Sequence, residues 1–501
     1  MASDFSIVEF YSDSNKYRCG YCKKTDSIIR HGMWAHQMSV ENYQNLIDRG
    51  WRRSGSYCYK PTMAETCCPM YTIKCAALDF RPTKSQKKVL KQMHRFLASG
   101  DRKRETSRIS NTSQEESPRD EIVQEIPQPM KAQVQMDNIQ LQVESSSDGS
   151  SLNPKKTRLS ESAKMETEEP SVPESKGKLQ SESVTNSKIS LKAKFKRRER
   201  HKEKLISQGL SNEEAEALMK SKRLSKSQPK KIEEFINAPL PENPAHRLEI
   251  KLLETCSEEF EESFKESWAL YTKYQMAIHN DPREECTKTS YSEFLVTSPM
   301  KYKLGNGSPP RGYGSFHQQY WLDGKLIAVG VLDILPKCVS SVYFFYDPDY
   351  KDLTLGTYGS LREVMFVRSL QTYSPNLRFY YMGYYIHSCP KMRYKAKLAP
   401  SYLLCPETYV WFPIEECLEK LHQLDKSQYC RFNPDPSATD PDDETNLDQV
   451  TILFSNQVIT FPRYISLVKN IDCKEETEKI REYASLVGKK CASRLLLIRS
   501  E

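Results

Sequence analysis

The chain contains no run of eighteen apolar residues, so no membrane-spanning helix is predicted. Met1-Ala2-Ser3-Asp4-Phe5 carries neither a basic leader nor an apolar stretch, and no secretory signal is read there. There is no GxxxxGKS or GxxxxGKT loop, which excludes a P-loop nucleotide site. Fifteen cysteines in 501 residues are too sparse for a disulfide scaffold, and without an export signal they should be reduced. The expected compartment is the cytoplasm, with the nucleus second. Hydrophobic residues make up only 38%, so part of the chain should be unable to bury a core. A net charge of +8 suits an RNA partner without demonstrating one.

Four regions separate along the chain. Residues 1–98 mix aromatics and cysteines and read as a folded N-terminal domain. It is closed by an amphipathic helix over KSQKKVLKQMHRFL, with Val89, Leu90, Met93 and Leu97 inward and basic residues outward. Residues 99–234 are rich in Ser, Glu, Lys, Thr and Gln and nearly lack aromatics; this is a charged linker predicted to be disordered. Within it a charged helix is possible near KAKFKRRERHKEKLISQGLSNEEAEALMKSKRL. The basic block from Lys192 to Lys204 fits either a solvated, nuclear-localisation-like patch or a tether for RNA phosphates. Residues 235–425 are dense again. SEEFEESFKESWALYTKYQMAIHN predicts a long helix, and Asp323-Gly324 predicts a tight turn between two strands. A third strand over SSVYFFYDP, a helix over TLGTYGSLREVMFVRSLQTY and a strand over LRFYYMGYYIHS follow. That order gives an α/β domain with a mixed, largely antiparallel sheet flanked by helices. Residues 426–501 are strand-like and helical in turn, and are assigned to the same domain.

Cys19-Gly20-Tyr21-Cys22 places two sulfurs on one side of a turn, and Cys67-Cys68 supplies two more. Four thiolates can hold zinc or an iron–sulfur cluster, and the sequence does not choose between them. Redox thiols and inert buried cysteines are the alternatives; no βαβ context supports the former. A zinc-stabilised RNA-binding adaptor without catalysis would satisfy these features equally well.

Several longer segments carry a resemblance: YRCGYCK, HGMWAHQMSVENYQNLIDRGWRRSG, TCCPMYTI, YGSFHQQYWLDGKLIAVGVLDILP, VYFFYDPDY, YYMGYYIHSCPKMRYK and LCPETYVW. They resemble the eukaryotic arginyl-tRNA-protein transferases over roughly residues 5–98 and 236–420, and weakly at REYASLVGKKC. The resemblance implies a catalytic domain like the acyl-CoA N-acyltransferase fold, preceded by a small cysteine-rich metal-binding domain. Cys19, Cys22, Cys67 and Cys68 would be its zinc or iron–sulfur ligands. It implies transfer of arginine from arginyl-tRNA to the α-amine of N-terminal Asp, Glu or oxidised Cys, marking those proteins for ubiquitin-dependent degradation. Arginyl-tRNA synthetase and ubiquitin ligases of the N-degron pathway would be further partners, and neither ATP nor CoA would be needed.

That chemistry calls for particular groups. Cations should read the acceptor's carboxylate; His387, Lys391, Arg393 and Lys395 are candidates, with Lys391 first. Tyr381, Tyr384 and Tyr385 can wall a pocket or stack on the terminal adenine; Tyr381, Tyr385 and His387 are taken as catalytic candidates. Asp333, Glu363 and Glu407 are candidates for the arginyl guanidinium. His317, Gln318, Gln319 and Tyr320 are candidates for polar pocket contacts. Leu355-Gly356-Thr357-Tyr358-Gly359 sits where an acyl-CoA enzyme cradles pyrophosphate, but Tyr358 is bulky for that use, and a tight helix start is the plainer reading. Cys389 and Cys405 read as ordinary thiols rather than nucleophiles.

Overall fold

The computed structural model describes residues 5–11, 16–102, 199–214, 216–219, 230–425, 427–443, 446–468 and 472–499. Two compact units are present, one of residues 1–143 with 231–501, the other of 144–230. In the second, 199–206, 212–214 and 216–219 are helical. Most of the predicted linker, and the basic block before residue 199, lie outside the described residues.

The first unit begins with β1 (Ser6–Tyr11), β2 (Lys16–Tyr17), β3 (Ile28–Gln37), α1 (Val40–Ile47), β4 (Arg52–Ser54), β5 (Tyr57–Pro61), β6 (Tyr71–Ala76) and α2 (Lys84–Ser99). It continues with β7 (Leu248–Glu254), α3 (Glu258–Tyr274), β8 (Gly314–Leu322), β9 (Lys325–Ile334), β10 (Cys338–Tyr346), α4 (Leu355–Gln371) and β11 (Phe379–Tyr385). Then come β12 (Ser401–Leu404), β13 (Trp411–Pro413), α5 (Ile414–Leu421), β14 (Thr451–Phe454), β15 (Gln457–Thr460), α6 (Cys473–Val487) and β16 (Leu495–Arg499). One sheet runs β15-β14-β16-β1-β3-β5-β4, with β2 on β3; the other runs β13-β12-β6-β11-β10-β9-β8-β7.

Local signals explain several elements. Thr83 caps α2 through a capping box with Gln86, and Gly100 ends it in the left-handed region. Asp323 and Gly324 both take positive φ, as the β8–β9 hairpin turn requires. Along β10 side chains alternate between faces. Tyr343 and Phe345 meet rings of or beside α3, while Phe344 meets α4 at Gly359. A Cβ at Gly359 would lie 2.4 Å from the Phe344 ring, so this glycine serves close packing of α4 on the sheet. Tyr358 is buried against Tyr320. The tight helix start is therefore the reading that holds.

The expected α/β architecture, a mixed and largely antiparallel sheet with helices on its faces, is present. Its partition along the chain differs from the expected boundaries. β6, from the cysteine-rich region, pairs with β11 and β12 inside the second sheet. β14, β15 and β16 pair among themselves and, through β16, with β1, so residues 426–501 extend the first sheet rather than the second. Ile232 is fully buried and Glu233 accepts from Arg368, which removes 231–234 from the predicted linker.

Candidate active site and metal centre

β10 and β11 are parallel neighbours only from Cys338↔Phe379 to Ser340↔Tyr381. Beyond that they part, and each carries an irregularity there. On β10 the register against β9 shifts between Ser341 and Tyr343. On β11 it shifts against β6 between Tyr381 and Tyr384, where Gly383 takes φ +64°. Bulges bend a strand and stop its pairing, so two of them side by side open a wedge in the sheet. Gly383 permits the bend because positive φ costs it little.

A cavity opens on each face of this wedge, and Ser341 and Val342 border both. The cleft toward the first sheet spans about 600 Å³, counting its opening to solvent, and is lined by Tyr21, Tyr43, Arg52, Arg53, Ser54, Tyr59, Ser340 and Tyr384, among others. The one toward α4 spans about 320 Å³ on the same measure and is lined by Tyr380, Met382, Tyr394 and Lys395, among others. A third cavity of about 790 Å³ lies between β5, β6 and the 404–409 loop, bordered by His31, Lys60, Thr72, Glu407 and Tyr409. Burial pushes the Lys60 ammonium well below its usual pKa, and Arg49 adds to this; its Nζ donates to the Tyr409 hydroxyl at 2.6 Å.

The four N-terminal cysteines form one cluster, their sulfurs all within 4.8 Å of one another. Cys19 and Cys22 sit in the loop between β2 and β3, and Cys67 and Cys68 in the loop between β5 and β6. The two loops are joined by the Cys67 amide donating to the Ser27 carbonyl at 2.9 Å. A bond to the Cys68 thiol holds Cys19 down to about 5 despite burial, while burial pushes Cys67 up to about 11. One tetrahedral ion with Zn–S of about 2.3 Å needs sulfurs about 3.8 Å apart. Cys22 and Cys67 are 3.4 Å apart, and sulfurs this close can share a metal centre. Cys19 and Cys68 pack with Ile28, Met70, Tyr384, Ile386 and Met392. The metal-binding loops therefore brace Tyr384, a wall of the larger wedge cleft.

The structure scatters the other sequence candidates. His317 is fully buried, bonds to the Leu295 carbonyl at 3.0 Å and lies edge-on to Phe260; burial lowers its pKa to about 4. Gln319 bonds to Ser263 and Trp321. Gln318 accepts from the Tyr320 hydroxyl. This quartet is spent inside the core, odd residues toward α3 and even ones toward α4, and none of it lines the wedge. Asp333 is closed in a fork with Arg53, at 2.8 Å to Nε and 2.6 Å to Nη2, and also accepts from Ser315. Glu363 accepts from Tyr380 at 2.5 Å within the core. Neither carboxylate is open to an arginyl group. Glu407 borders the third cavity but already accepts from Arg431 and Tyr429.

Tyr381 donates to Asp48 at 2.5 Å and is buried against Trp411, with burial holding its hydroxyl well above the usual pKa. Tyr385 bonds to His387 Nδ1 at 3.0 Å. His387 stacks edge-on with His422, and burial, then His422 and Arg393, lower its pKa. Lys391 and Arg393 are exposed, with Arg393 Nε donating to the His387 carbonyl. Lys395 is buried and donates to the Tyr384 carbonyl at 2.8 Å, at the edge of the smaller wedge cavity. The predicted cationic cluster is thus divided, and only Lys395 reaches the wedge. The cleft lining also includes Arg52, Arg53 and Ser54, which the sequence reading did not single out. They stand in the quoted RGWRRSG segment, but two adjacent arginines carry no sequence signal for burial.

Comparison with known proteins identifies the family. Residues 17–88 match the family model "Arginine-tRNA-protein transferase, N terminus", and 266–405 match its C-terminal counterpart. The chain is 43% identical over 505 residues to arginyl-tRNA-protein transferase 1 of Drosophila melanogaster, covering 99% of both. It is 35% identical over 453 residues to arginyl-tRNA-protein transferase 2 of Arabidopsis thaliana, covering 80% of this chain and 74% of that one. It is also 33% identical over 147 residues to the aspartate/glutamate leucyltransferase of Stutzerimonas stutzeri (strain A1501), covering 29% of this chain and 55% of that one.

Proposed function

Because the chain belongs to the arginine-tRNA-protein transferases, a family of aminoacyl-tRNA-dependent enzymes, we propose that it moves arginine from arginyl-tRNA to the α-amine of proteins beginning with Asp, Glu or oxidised Cys, at the β10–β11 wedge. Such products would enter ubiquitin-dependent degradation, as the family resemblance implies. The observation that carries the site is the parting of two parallel strands at paired bulges, with a cavity on each face. Two substrates can then approach one point from opposite sides. The acidic acceptor is supported by the relative whose name specifies aspartate and glutamate.

The donor ester is already activated, so the enzyme's task is positioning. The acceptor amine has a reference pKa of about 7.7–8.0, and a useful fraction is neutral near pH 7. It attacks the ester carbonyl, the new amide N–C bond forms, and the ribose oxygen leaves with a proton. Polar groups at the wedge stabilise the oxyanion. The cysteine centre, when loaded with zinc or an iron–sulfur cluster, would lock the two loops that brace Tyr384. For the tRNA itself, α2 offers a basic face. Lys84, Lys88, Lys91 and Arg95 are exposed, Lys87 is half-buried, and among the described residues none of them pairs with a carboxylate. Such a stripe suits an RNA backbone.

Purified protein with labelled arginyl-tRNA and an Asp-starting peptide, without ATP, should yield arginyl-peptide. Failure of the metal-loaded protein to label any Asp-, Glu- or oxidised-Cys-starting peptide sinks the reading. Metal analysis and a visible absorption spectrum distinguish zinc from an iron–sulfur cluster.

A further inference from the structure

Arg52 and Arg53 are adjacent on β4, both buried and both lining the larger wedge cleft, yet their electrostatic situations are opposite. Arg53 presents the fork of Nε and Nη2 to Asp333 and is neutralised there. Arg52 gives its hydrogen bonds to main-chain carbonyls, and its guanidinium also lies 5.2 Å from the centre of the Tyr384 ring. Its Nη1 donates to Ile47 at 3.3 Å and Trp51 at 2.6 Å, and its Nη2 to Gly383 at 3.2 Å. Among the described residues no carboxylate pairs with it, and its Nε is buried without a hydrogen-bond partner. Two residues on, and so on the same strand face, the Ser54 hydroxyl is likewise buried and unpartnered.

An arginine only 6% exposed and without a paired carboxylate is costly to keep. The carbonyl bonds fix its plane, which lowers the entropy lost when a planar anion docks on the remaining edge. The bond to Gly383 ties that plane to the bulge of β11, at the proposed point of reaction.

We propose that Arg52, helped by Ser54, binds the side-chain carboxylate of the acceptor's first residue and so determines acidic specificity. This rests on the transferase reading above. The acceptor's carboxylate lies one or two methylenes from the reacting amine, so a fixed clamp on it also aims the amine into the wedge. An RNA phosphate is the other anion present in the reaction. The exposed cations of α2 suit it, whereas Arg52 sits inside a cleft walled by Tyr59 and Tyr384.

The test compares Asp-, Glu- and Asn-starting peptides in wild type, Arg52→Gln, Arg52→Lys and Ser54→Ala, alongside arginyl-tRNA binding. Asn matches Asp in shape and lacks the charge. In Arg52→Gln, kcat/KM on the Asp peptide should fall by roughly 30-fold or more, with little change on Asn, so the Asp-to-Asn ratio collapses. Arg52→Lys should recover part of that ratio. Ser54→Ala, which removes one oxygen and leaves the carbonyl bonds of Arg52 intact, should lower it several-fold and keeps the test alive if Arg52→Gln does not fold. Affinity for arginyl-tRNA should stay within about 2-fold in each, because buried Arg52 is not asked to neutralise a phosphate. A preserved Asp-to-Asn ratio in a folded Arg52→Gln, or in Ser54→Ala, overturns the proposal. Equal loss of tRNA affinity and of transfer to all peptides reassigns Arg52 to phosphate. Absence of transfer by wild type to every peptide would instead mark failure of the transferase reading.

Discussion

Replacing Asp333 by Asn tests whether the Arg53 pair is a structural rivet between the sheets. The pair joins β4 of the first sheet to β9 of the second, with side chains 1% and 0% exposed. In Asp333→Asn the guanidinium stays buried and keeps its charge, while the new amide nitrogen points a donor at a donor. Breaking a buried pair in this way costs about 3–5 kcal/mol, because the cost is the uncompensated charge rather than the lost attraction. Against a total stability of roughly 5–15 kcal/mol, that is a large share. Urea unfolding at pH 7, followed by tryptophan fluorescence, should show the loss in the first transition. Adding about 0.5 M salt should hardly change it, since screening acts on exposed charges. The double variant Arg53→Met, Asp333→Leu should regain most of the loss. If Asp333→Asn costs under about 1 kcal/mol, or if the double variant is no better than the single one, the pair is not the rivet described.

The remaining expectations are narrower. Cys68→Ser should lower bound metal and thermal stability together, because ligation is coupled to folding; unchanged metal content would remove Cys68 from the centre. His317 stays neutral when folded down to about pH 4, whereas the unfolded chain binds its proton near 6.5, so stability should fall as pH drops through that window, by roughly 3 kcal/mol at its lower end. His317→Gln should flatten that part of the profile, and an identical profile would mean another group is responsible. Lys391→Ala, an exposed change, should alter transfer to Asp peptides less than about 3-fold. Replacing Lys87, Lys88 and Lys91 together by Ala should weaken arginyl-tRNA binding and reduce its salt slope by about 0.7–0.9 per lost contact; an unchanged slope would move the RNA elsewhere.

What the sequence disclosed depended on range. α2, α3 and the Asp323-Gly324 hairpin were legible because caps, helical spacing and turn residues act within a few positions. The cysteine set was legible because thiol chemistry narrows the partners, even though residues 22 and 67 meet only through two loops. The burial of cations was not legible, for the converse reason. Charge density at 387–395 is visible in one dimension, but whether a cation is buried is decided by strands far apart, as Gly383 and Ile47 decide it for Arg52. His317 to Tyr320 misled in the opposite sense: a polar run looks like a pocket until its side chains are found bonding one another and the helices on either face.

The pairing of β1 with β16 has a bearing on synthesis. Ser6, Ile7 and Val8 lie in register with Leu495, Leu496 and Leu497 in the interior of a sheet. On a ribosome, one edge of β1 stays open until Leu495 has emerged, although β3 is available from the start. β6 likewise waits for β11 and β12 before both its sides are covered. The N-terminal region therefore cannot finish folding as it is made, and apolar strand residues that end up buried, Ile7, Val8 and Ile73 among them, lack part of their cover until the later strands arrive. A circular permutant joining the two ends and opened in the loop before α3 would bring β16 and β1 out together, and should refold with less loss to aggregates.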